Sequence, residues 1–323
     1  MMPEPGEIVV LYVMGYGRSG STIIGNILGE IPGFVHVGEL RSLWTLGLLG
    51  RRVCGCGAPI KDCPFWEEVL AAAFGAPDER PDPATVSQWQ REAVRLRNTM
   101  ALLNLKRGQE MDSAALEGFA DVGRQLYRAV GKVSRASVIV DTSKHIPDAA
   151  LLHLLPEVQP YFLHLVRDPR AVAFSWQREM ASPGEGRASQ MPRHGAFRSA
   201  RSWMFTNLGA ELIRRRSPSD RSMMIRYEDF AASPQVTIDR ILSLIGHGPV
   251  GAPFVDPTTV ELRPNHTAGG NPARLTTGRV KIRLDEDWQT SQSRADRVLT
   301  TTITLPLLWR YRYPLRPTHR SGN

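Results

Sequence analysis

Residues 9–28 read VVLYVMGYGRSGSTIIGNIL and decide how the chain begins to fold. An apolar run, a turn rich in glycine and an apolar helical segment follow one another, which predicts a buried strand over 9–14 and a helix over 21–30. Backbone N–H groups in such a turn, together with the N-terminus of the helix behind it, are suited to hold a phosphate. The segment therefore predicts a strand–loop–helix unit with an anion site at its loop.

The loop departs from the nucleoside-triphosphate P-loop at one position. Gly15 and Gly20 have the glycine spacing of that motif, and Thr22 stands where its magnesium-binding hydroxyl is found. Ser21 replaces the lysine that reaches the β- and γ-phosphates, and the positive charge lies inside the loop at Arg18. We therefore expect an anion site without the complete machinery for a triphosphate and magnesium. The plainer alternative is a glycine-rich turn that binds nothing.

Further short apolar segments alternate with helical ones along the chain. Strands are predicted in FVHVGEL, ASVIVDTSK, PYFLHLVRDP and SMMIRYEDF, whereas residues from about 60 to 135 carry helical spacing. Alternation of strands and helices predicts a mostly parallel sheet covered on both faces. We therefore expect a single α/β domain over residues 1–323, with three layers and a helical insertion at approximately 60–135.

The formal charge of +8 indicates that the protein binds a negatively charged partner. Such a chain suits nucleic acid, an anionic membrane surface or a multiply charged small anion. Its arginines are scattered and no RNA-binding aromatic motif is present, which favours the small anion over nucleic acid. No segment approaches the ~20 apolar residues of a membrane-spanning helix, and the acidic start MMPEPGE lacks the features of an export signal. We therefore expect a cytoplasmic protein, and nothing in the sequence supports contact with a membrane surface.

The cysteines of the chain lie together in CGCGAPIKDCPFW, at positions Cys54, Cys56 and Cys63. An odd number in a chain without an export signal disfavours a disulfide framework. A metal ion would need a fourth ligand, which the spacing of this segment does not supply. We therefore expect reduced thiols in a tight turn and no metal.

A second turn places a basic residue at the end of an apolar strand, in HLVRDPRAVAFSW. Arg167 ends the strand, Asp168 and Pro169 supply a helix start, and Ser175 lies two turns farther along. Guanidinium groups suit forked recognition of phosphate. By itself a structural Arg–Asp turn would explain this segment equally well. Together with the first loop, it predicts a second anion contact.

Two segments, GYGRSGST and VRDPRAVAFS, resemble in order and separation the signatures of the sulfotransferases that use 3′-phosphoadenosine 5′-phosphosulfate (PAPS). A third segment, IRYEDFAASPQVTIDRILSLIG, resembles the strand–helix segment that these enzymes carry downstream. The resemblance is closest to the bacterial branch of the family, to which VGELRSLW, the cysteine turn CGCGAPIKDCPFW and HTAGGNPARLTTGRVKIRLDEDW are similar. The resemblance implies a P-loop-like fold and transfer of a sulfuryl group to a hydroxyl, less readily an amine, of a small molecule, glycan or lipid. A P-loop kinase and a non-catalytic nucleotide-binding protein are the alternatives.

The resemblance also implies which residues hold the donor. Those of the first loop would bind the 5′-phosphosulfate: Arg18, Ser19, Gly20, Ser21 and Thr22. Those farther along would complete the nucleotide site: Arg167 and Ser175 at the 3′-phosphate, Tyr227 at the adenine and Arg274 over the bound nucleotide. Residues 40–135 and 180–200 are expected to shape the acceptor pocket.

Three side chains are candidates for the chemistry. Glu39 follows the second strand, and carbohydrate and tyrosyl-protein sulfotransferases have a glutamate base in a comparable segment, so the resemblance assigns it that role. Lys144 follows the strand of VDTSK and, with Arg18, would stabilise the leaving phosphate. The plainer alternative is that Glu39 forms a salt bridge with a loop arginine. The neighbouring His145 is the next candidate base.

Overall fold

The computed structural model describes residues 7–109, 111, 113–178, 193–249 and 253–315. Its central sheet consists of strands β1 (Ile8–Met14), β2 (Phe34–Gly38), β3 (Val138–Lys144), β4 (Val158–Val166) and β5 (Ser222–Arg226). Their spatial order is β2–β3–β1–β4–β5, and each neighbouring pair is parallel. The predicted α/β class with a parallel central sheet is confirmed.

Helices cover both faces of this sheet. Their bounds are α1 (Ser21–Gly29), α2 (Pro64–Phe74), α3 (Pro83–Ala93), α4 (Thr99–Asn104), α5 (Ala114–Ser134), α6 (Ile146–Leu152), α7 (Pro169–Gln177), α8 (Ala196–Arg216), α9 (Tyr227–Ala232), α10 (Pro234–Leu244), α11 (Trp288–Ser291) and α12 (Arg294–Arg310). A π-helical turn spans Leu43–Leu48, and short 3-10 turns lie at Ile60–Asp62, Leu96–Asn98, Ser219–Arg221 and Pro272–Leu275.

Strand β1 explains why its sequence is apolar throughout. Its alternate side chains Tyr12 and Met14 pack in a core shared with helices α2 to α6. The side chains on the opposite face of the strand, such as Leu11 and Val13, pack in a second core with α1, α9 and α10. A strand with helices on both faces has no solvent-facing side, so it reads as one continuous hydrophobic run.

The helical insertion predicted near residues 60–135 consists of α2 to α5, between β2 and β3. Its longest helix, α5, packs against α2 and α3. The side chain of Ser113 caps α5 by accepting a hydrogen bond from the N–H of Leu116. Because the buried residues of α5 join the same core as Tyr12, the insertion belongs to the main body of the protein.

A second, antiparallel sheet was not predicted from the sequence. It consists of β6 (Phe254–Asp256), β7 (Thr259–Leu262) and β8 (Gly278–Lys281), in that spatial order. These strands are too short to show a clear alternation of polar and apolar residues, and they lie in a segment rich in Pro and Gly. Val260 and Leu262 pack this small sheet against the core of α1 and α10.

The strand order locates the position where a ligand binds in such folds. After β1 the chain builds β2 and β3 on one side of it, and then crosses to β4 and β5 on the other. In open α/β sheets the crevice at this reversal, at the carboxyl ends of the strands, is the usual binding site. No helix in the described ranges has both the length and the apolarity needed to cross a bilayer.

Candidate active site

A cleft of about 220 Å³ opens at the carboxyl ends of the central strands. It is lined by residues that the sequence singled out, in five separate segments: Arg18, Gly20, Ser21, Thr22, Glu39, Lys144, Arg167, Ser175 and Tyr227. The two arginine-bearing turns, which the sequence places about 150 residues apart, therefore share one cavity. The topology brings the predicted site residues together because β1, β3 and β4 are parallel neighbours.

Two glycines allow the first loop to run close to its surroundings. At Gly15, where φ is +131°, an added Cβ would lie 2.1 Å from the carbonyl oxygen of Leu165. At Gly20, where φ is +90°, a Cβ would lie 2.4 Å from the ring of Tyr227. Neither position can hold a side chain without displacing its neighbour. Helix α1 begins directly after Gly20, so its first N–H groups lie at the cleft.

The side chain of Arg18 lies over an aromatic ring at the mouth of the cleft. Its guanidinium carbon is 4.8 Å from the centroid of Trp176, a cation–π distance. Burial lowers the pKa of Arg18, while the carboxylate of Glu39 raises it. Because a guanidinium keeps its proton in any such environment, the loop presents a fixed positive charge. Ser19, which the resemblance also assigned to the donor, is not among the residues that line the cleft. It is buried, and its hydroxyl donates to the carbonyl of Tyr16 at 2.8 Å.

Glu39 and Lys144 form an ion pair on the wall of the cleft. The Nζ of Lys144 lies 2.7 Å from Oε1 of Glu39, and it also donates to the carbonyl of Thr142. The sequence left open that Glu39 forms a salt bridge with a loop arginine. The structure shows a salt bridge, but its partner is Lys144. Arg41, the nearest arginine in the sequence, pairs with Asp148 at 3.3 Å.

A buried carboxyl group fixes the backbone that carries Lys144. Asp141 accepts hydrogen bonds from the N–H of Ser143 at 2.8 Å and from the hydroxyl of Tyr127 at 2.7 Å. Burial raises the pKa of Asp141 to about 6, although these hydrogen bonds act in the opposite direction. Lys144 itself has φ of +66°, an uncommon value for a residue with a side chain. The bonds of Asp141 hold the strand end from which this lysine turns into the cleft.

Arg167 joins the second turn to the first. One terminal nitrogen donates to the carbonyl of Arg18 at 3.1 Å, and the other lies 3.3 Å from Oδ2 of Asp285. Its guanidinium carbon is 4.7 Å from the ring centroid of Tyr227. The side chain of Arg167 is 8% exposed, whereas that of Asp285 is 35% exposed, so their contact is partly open to solvent. Arg167 is therefore held in place before any anion binds.

Arg274 does not point into the cleft. Its side chain is buried, and it donates to the carbonyl of Val53 at 2.7 Å, on the cysteine turn. This placement does not support the closing role over the nucleotide that the resemblance suggested. Asn271 and Ala273, in the same loop, line the cleft instead.

His145 also lies apart from the cleft lining. Its Nδ1 is 3.2 Å from a carboxylate oxygen of Asp148. This contact holds the imidazole at the first turn of α6. His145 therefore has weaker geometric support as a base than Glu39.

A separate, mostly apolar cavity of about 60 Å³ is lined by residues next in sequence to the ion pair. Leu40, which follows Glu39, and Ser143, which precedes Lys144, both line it. Its other walls come from β1 and from helices α3, α5 and α6, together with the π-helical turn. Part of the segment expected to shape the acceptor pocket, residues 40–135, thus lines this cavity. Of the other expected segment, residues 180–192 lie outside the described residues.

Residues 11–248 match the model of the Sulfotransferase family. This chain belongs to the sulfotransferase family. Comparison of the sequence with curated proteins gives no significant match.

Several solved structures are similar to this sulfotransferase. One is the sulfotransferase domain of the olefin synthase from Synechococcus PCC 7002, with 17% identity, a TM-score of 0.52 and 98% of each chain covered. Others are a sulfotransferase domain from the curacin biosynthetic pathway (16% identity, TM-score 0.48, 95% of this chain and 98% of that one) and a Mycobacterium avium sulfotransferase (14%, 0.47, 97% and 79%). The first of these similarities supports the fold assignment.

Two residues that line the cleft of this sulfotransferase were missed in the sequence. Trp176 follows Ser175 in the second signature, and its ring would lie 2.9 Å from a Cβ at Gly17 as well as under the guanidinium of Arg18. Asn271 lies in the GNPAR segment, in which the resemblance assigns only the charged Arg274 to the nucleotide. In both segments the sequence predicts a contact from a neighbouring residue, Ser175 or Arg274. Only the structure shows that Trp176 and Asn271 line the cleft.

Proposed function

We propose that this sulfotransferase transfers a sulfuryl group from PAPS to a hydroxyl of a small-molecule, glycan or lipid acceptor. One observation carries the proposal. Arg18, Lys144 and Arg167 line one cleft at the topological switch point of the sheet, with the carboxylate of Glu39 among them. An adenosine with an anionic group at each end of its ribose matches this arrangement of positive charge.

The first loop suits a phosphosulfate better than a triphosphate. The N-terminus of α1 and Arg18 offer N–H groups and positive charge to one bridging phosphate and its sulfuryl group. Since this donor has no γ-phosphate, no lysine is needed at the position of Ser21. Arg167 would bind the 3′-phosphate, which would compete with Asp285 for its guanidinium.

The chemistry requires a base at the acceptor and positive charge at the leaving group. Glu39 would take the proton of the acceptor hydroxyl as the new oxygen–sulfur bond forms. The bond between sulfur and the bridging oxygen breaks, and 3′,5′-ADP leaves with the electron pair. Lys144 and Arg18 would stabilise the charge on that phosphate, each contributing about 3 kcal/mol to the transition state.

The apolar cavity beside the ion pair supports a site for part of the acceptor. Its lining includes Leu40 and Ser143, the chain neighbours of Glu39 and Lys144, so an acceptor there could present a hydroxyl to the base. Its walls are formed mainly by leucine, valine and aromatic side chains. We therefore propose that the acceptor carries a small apolar group next to the hydroxyl that is sulfated.

Ligand binding distinguishes this function from that of a kinase. We expect 3′,5′-ADP without metal to raise the melting temperature, and Arg18→Ala and Arg167→Ala to weaken its binding in calorimetric titration. If ATP with Mg²⁺ stabilises the protein and 3′,5′-ADP does not, the kinase alternative is correct.

Turnover tests the base. In an acceptor screen with labelled donor, Glu39→Gln should bind the donor nucleotide at least as tightly as wild type and lose at least ~10²-fold in turnover. Glu67→Gln is a matched control, because Glu67 also forms an ion pair, with Arg80 at 2.7 Å, but outside the cleft. Unchanged turnover in Glu39→Gln would assign the base to another residue, with His145 next.

A further inference from the structure

Three sulfur atoms and one imidazole gather outside the cleft. The ligand atoms of Cys54, Cys56, Cys63 and His266 all lie within 4.8 Å of one another. The Sγ of Cys63 is 3.5 Å from that of Cys54 and 3.7 Å from that of Cys56. The Nδ1 of His266 is 3.4 Å from the Sγ of Cys63 and 3.8 Å from the Sγ of Cys54. Four donor atoms therefore surround one point.

These separations match a tetrahedral zinc site. With Zn–S near 2.3 Å and Zn–N near 2.0 Å, tetrahedral angles place two sulfurs about 3.8 Å apart and a sulfur and a nitrogen about 3.5 Å apart. A disulfide would bring two sulfurs to about 2.0 Å and leave the third thiol and the imidazole without a role. An iron–sulfur cluster places several irons and sulfides between its ligands, which would spread them farther than is seen here.

The cysteine turn is shaped to bring its sulfur atoms together. Gly57, with φ of +92°, turns the chain so that its N–H donates to the carbonyl of Cys54 at 2.9 Å. The backbone N–H of Cys56 donates to the sulfur of Cys54, and that of Trp66 donates to the sulfur of Cys63. Such N–H···S bonds orient the sulfur atoms of the turn. Cys63 also stands at the N-terminus of α2, where negative charge is favoured.

His266 reaches the turn from a loop that is remote in sequence. Its ring stacks on that of Phe65, with centroids 4.8 Å apart and planes at 16°. The N–H of Gly55 donates to the carbonyl of Thr267 at 3.1 Å, and Arg274 donates to the carbonyl of Val53. The imidazole is therefore positioned by its own packing and by two further ties between loop and turn.

We propose that Cys54, Cys56, Cys63 and His266 bind one Zn²⁺ ion in a closed site with four protein ligands. Thiolates and imidazole are the ligands that structural zinc prefers. With four protein ligands there is no open position for catalysis. The proposal departs from the expectation of unliganded thiols, because the fourth ligand that the local spacing lacks would come from the distant loop.

The ion would fix the wall of the cleft. The loop that carries His266 continues to Gly269, whose carbonyl accepts from the N–H of Glu39 at 3.1 Å. It then reaches Asn271 and Ala273, which line the cleft. A metal that joins this loop to the cysteine turn would hold the backbone of Glu39 in place.

Metal analysis of the full chain, freed of any affinity tag, tests the proposal directly. Purified protein should contain about one zinc per chain, and His266→Ala and Cys56→Ser should each lose most of it. His247→Ala is the matched control: His247 is also half-buried, with its ring 5.2 Å from that of Phe34, and this variant should keep its zinc. Cobalt substitution should give the visible absorption of a tetrahedral thiolate site in wild type and not in His266→Ala.

Other outcomes would overturn the proposal. They are zinc below about a tenth of an ion per folded chain, equal zinc in wild type and both variants, or a disulfide among the three cysteines in non-reducing mass spectrometry. Because Cys56 is exposed, Cys56→Ser should stay folded, which circular dichroism checks. Chelation should speed hydrogen exchange in residues 263–275 and leave α8 unchanged; equal exchange with and without chelator would count against the ion. None of these readouts depends on sulfuryl transfer.

Discussion

Replacing Asp141 with asparagine should change how the stability of the protein responds to pH. The carboxyl group is 2% exposed and accepts hydrogen bonds from Ser143 and Tyr127. Burial nevertheless raises its pKa from 3.8 to about 6. The ionised form is therefore less stable in the folded protein than in the unfolded chain, unlike that of a salt-bridged aspartate.

The sign and size of the effect follow from linkage. A raised folded-state pKa contributes stability that is fully present below the unfolded pKa and is lost as the pH rises through about 6. A shift of roughly two units corresponds to about 3 kcal/mol in total. Lowering the pH from about 8 to about 5 should restore about 1.4 kcal/mol of the free energy of unfolding, because the Asp141 carboxyl group is then largely protonated in the folded state.

Urea denaturation of wild type and Asp141→Asn at several pH values measures this contribution. The difference between the two proteins cancels most other titrating groups, so wild type should gain about 1.4 kcal/mol on the variant between about pH 8 and about pH 5. Asp121→Asn is a suitable control, because Asp121 is an exposed carboxylate on α5, the helix of Tyr127. A difference that stays constant with pH, or a wild type that loses stability relative to the variant in acid, would refute the reasoning.

Two further predictions concern the cavity and the second turn. Gly123→Ala and Gly131→Ala, both on α5 with no clash at the new methyl, should each stabilise the protein by about 0.5–1 kcal/mol in denaturation. Only Gly123 lines the apolar cavity, so only its variant should raise the acceptor KM; an equal rise in both would place the acceptor elsewhere. Asp285→Asn frees Arg167 from its carboxylate and should tighten 3′,5′-ADP binding roughly twofold to fivefold in calorimetry, whereas weaker binding would contradict the assignment.

The parts of the fold and site that could be predicted are those written in local sequence. The apolar run ending at Gly15 predicts β1, and the run ending at Arg167 predicts β4. Because both strands are parallel, their carboxyl ends had to meet at one edge, and this placed Arg18 and Arg167 in one cleft. A glycine whose Cβ would clash with backbone or with a ring, such as Gly20, is also recognisable in the local sequence, as part of the glycine-rich loop.

The parts that could not be predicted depend on contacts between distant segments. His266 lies 203 residues from Cys63, and local spacing contains no information about such an encounter. The partner of Glu39 is likewise 105 residues away, so a salt bridge was expected but Lys144 was not named as its partner. Arg274 shows a third limit: its charge and its position in a loop beside the cleft predict a ligand contact, yet its side chain turns back to the cysteine turn.

The Glu39–Lys144 pair predicts a difference between two nucleotides. Glu39 can act as a base only with an oxygen available to the acceptor, and Lys144 holds Oε1 at 2.7 Å. We expect the sulfuryl group of PAPS to draw Lys144 away, so that donor binding prepares the base. In Glu39→Gln the lysine no longer faces a charged partner, and PAPS should bind roughly twofold to fivefold more tightly, since the pair is partly exposed. The affinity for 3′,5′-ADP, which lacks the sulfuryl group, should change less, and calorimetry of both ligands at low temperature makes the comparison. If both nucleotides gain equally, Lys144 does not contact the sulfuryl group, and its role would be confined to the phosphate that both ligands share.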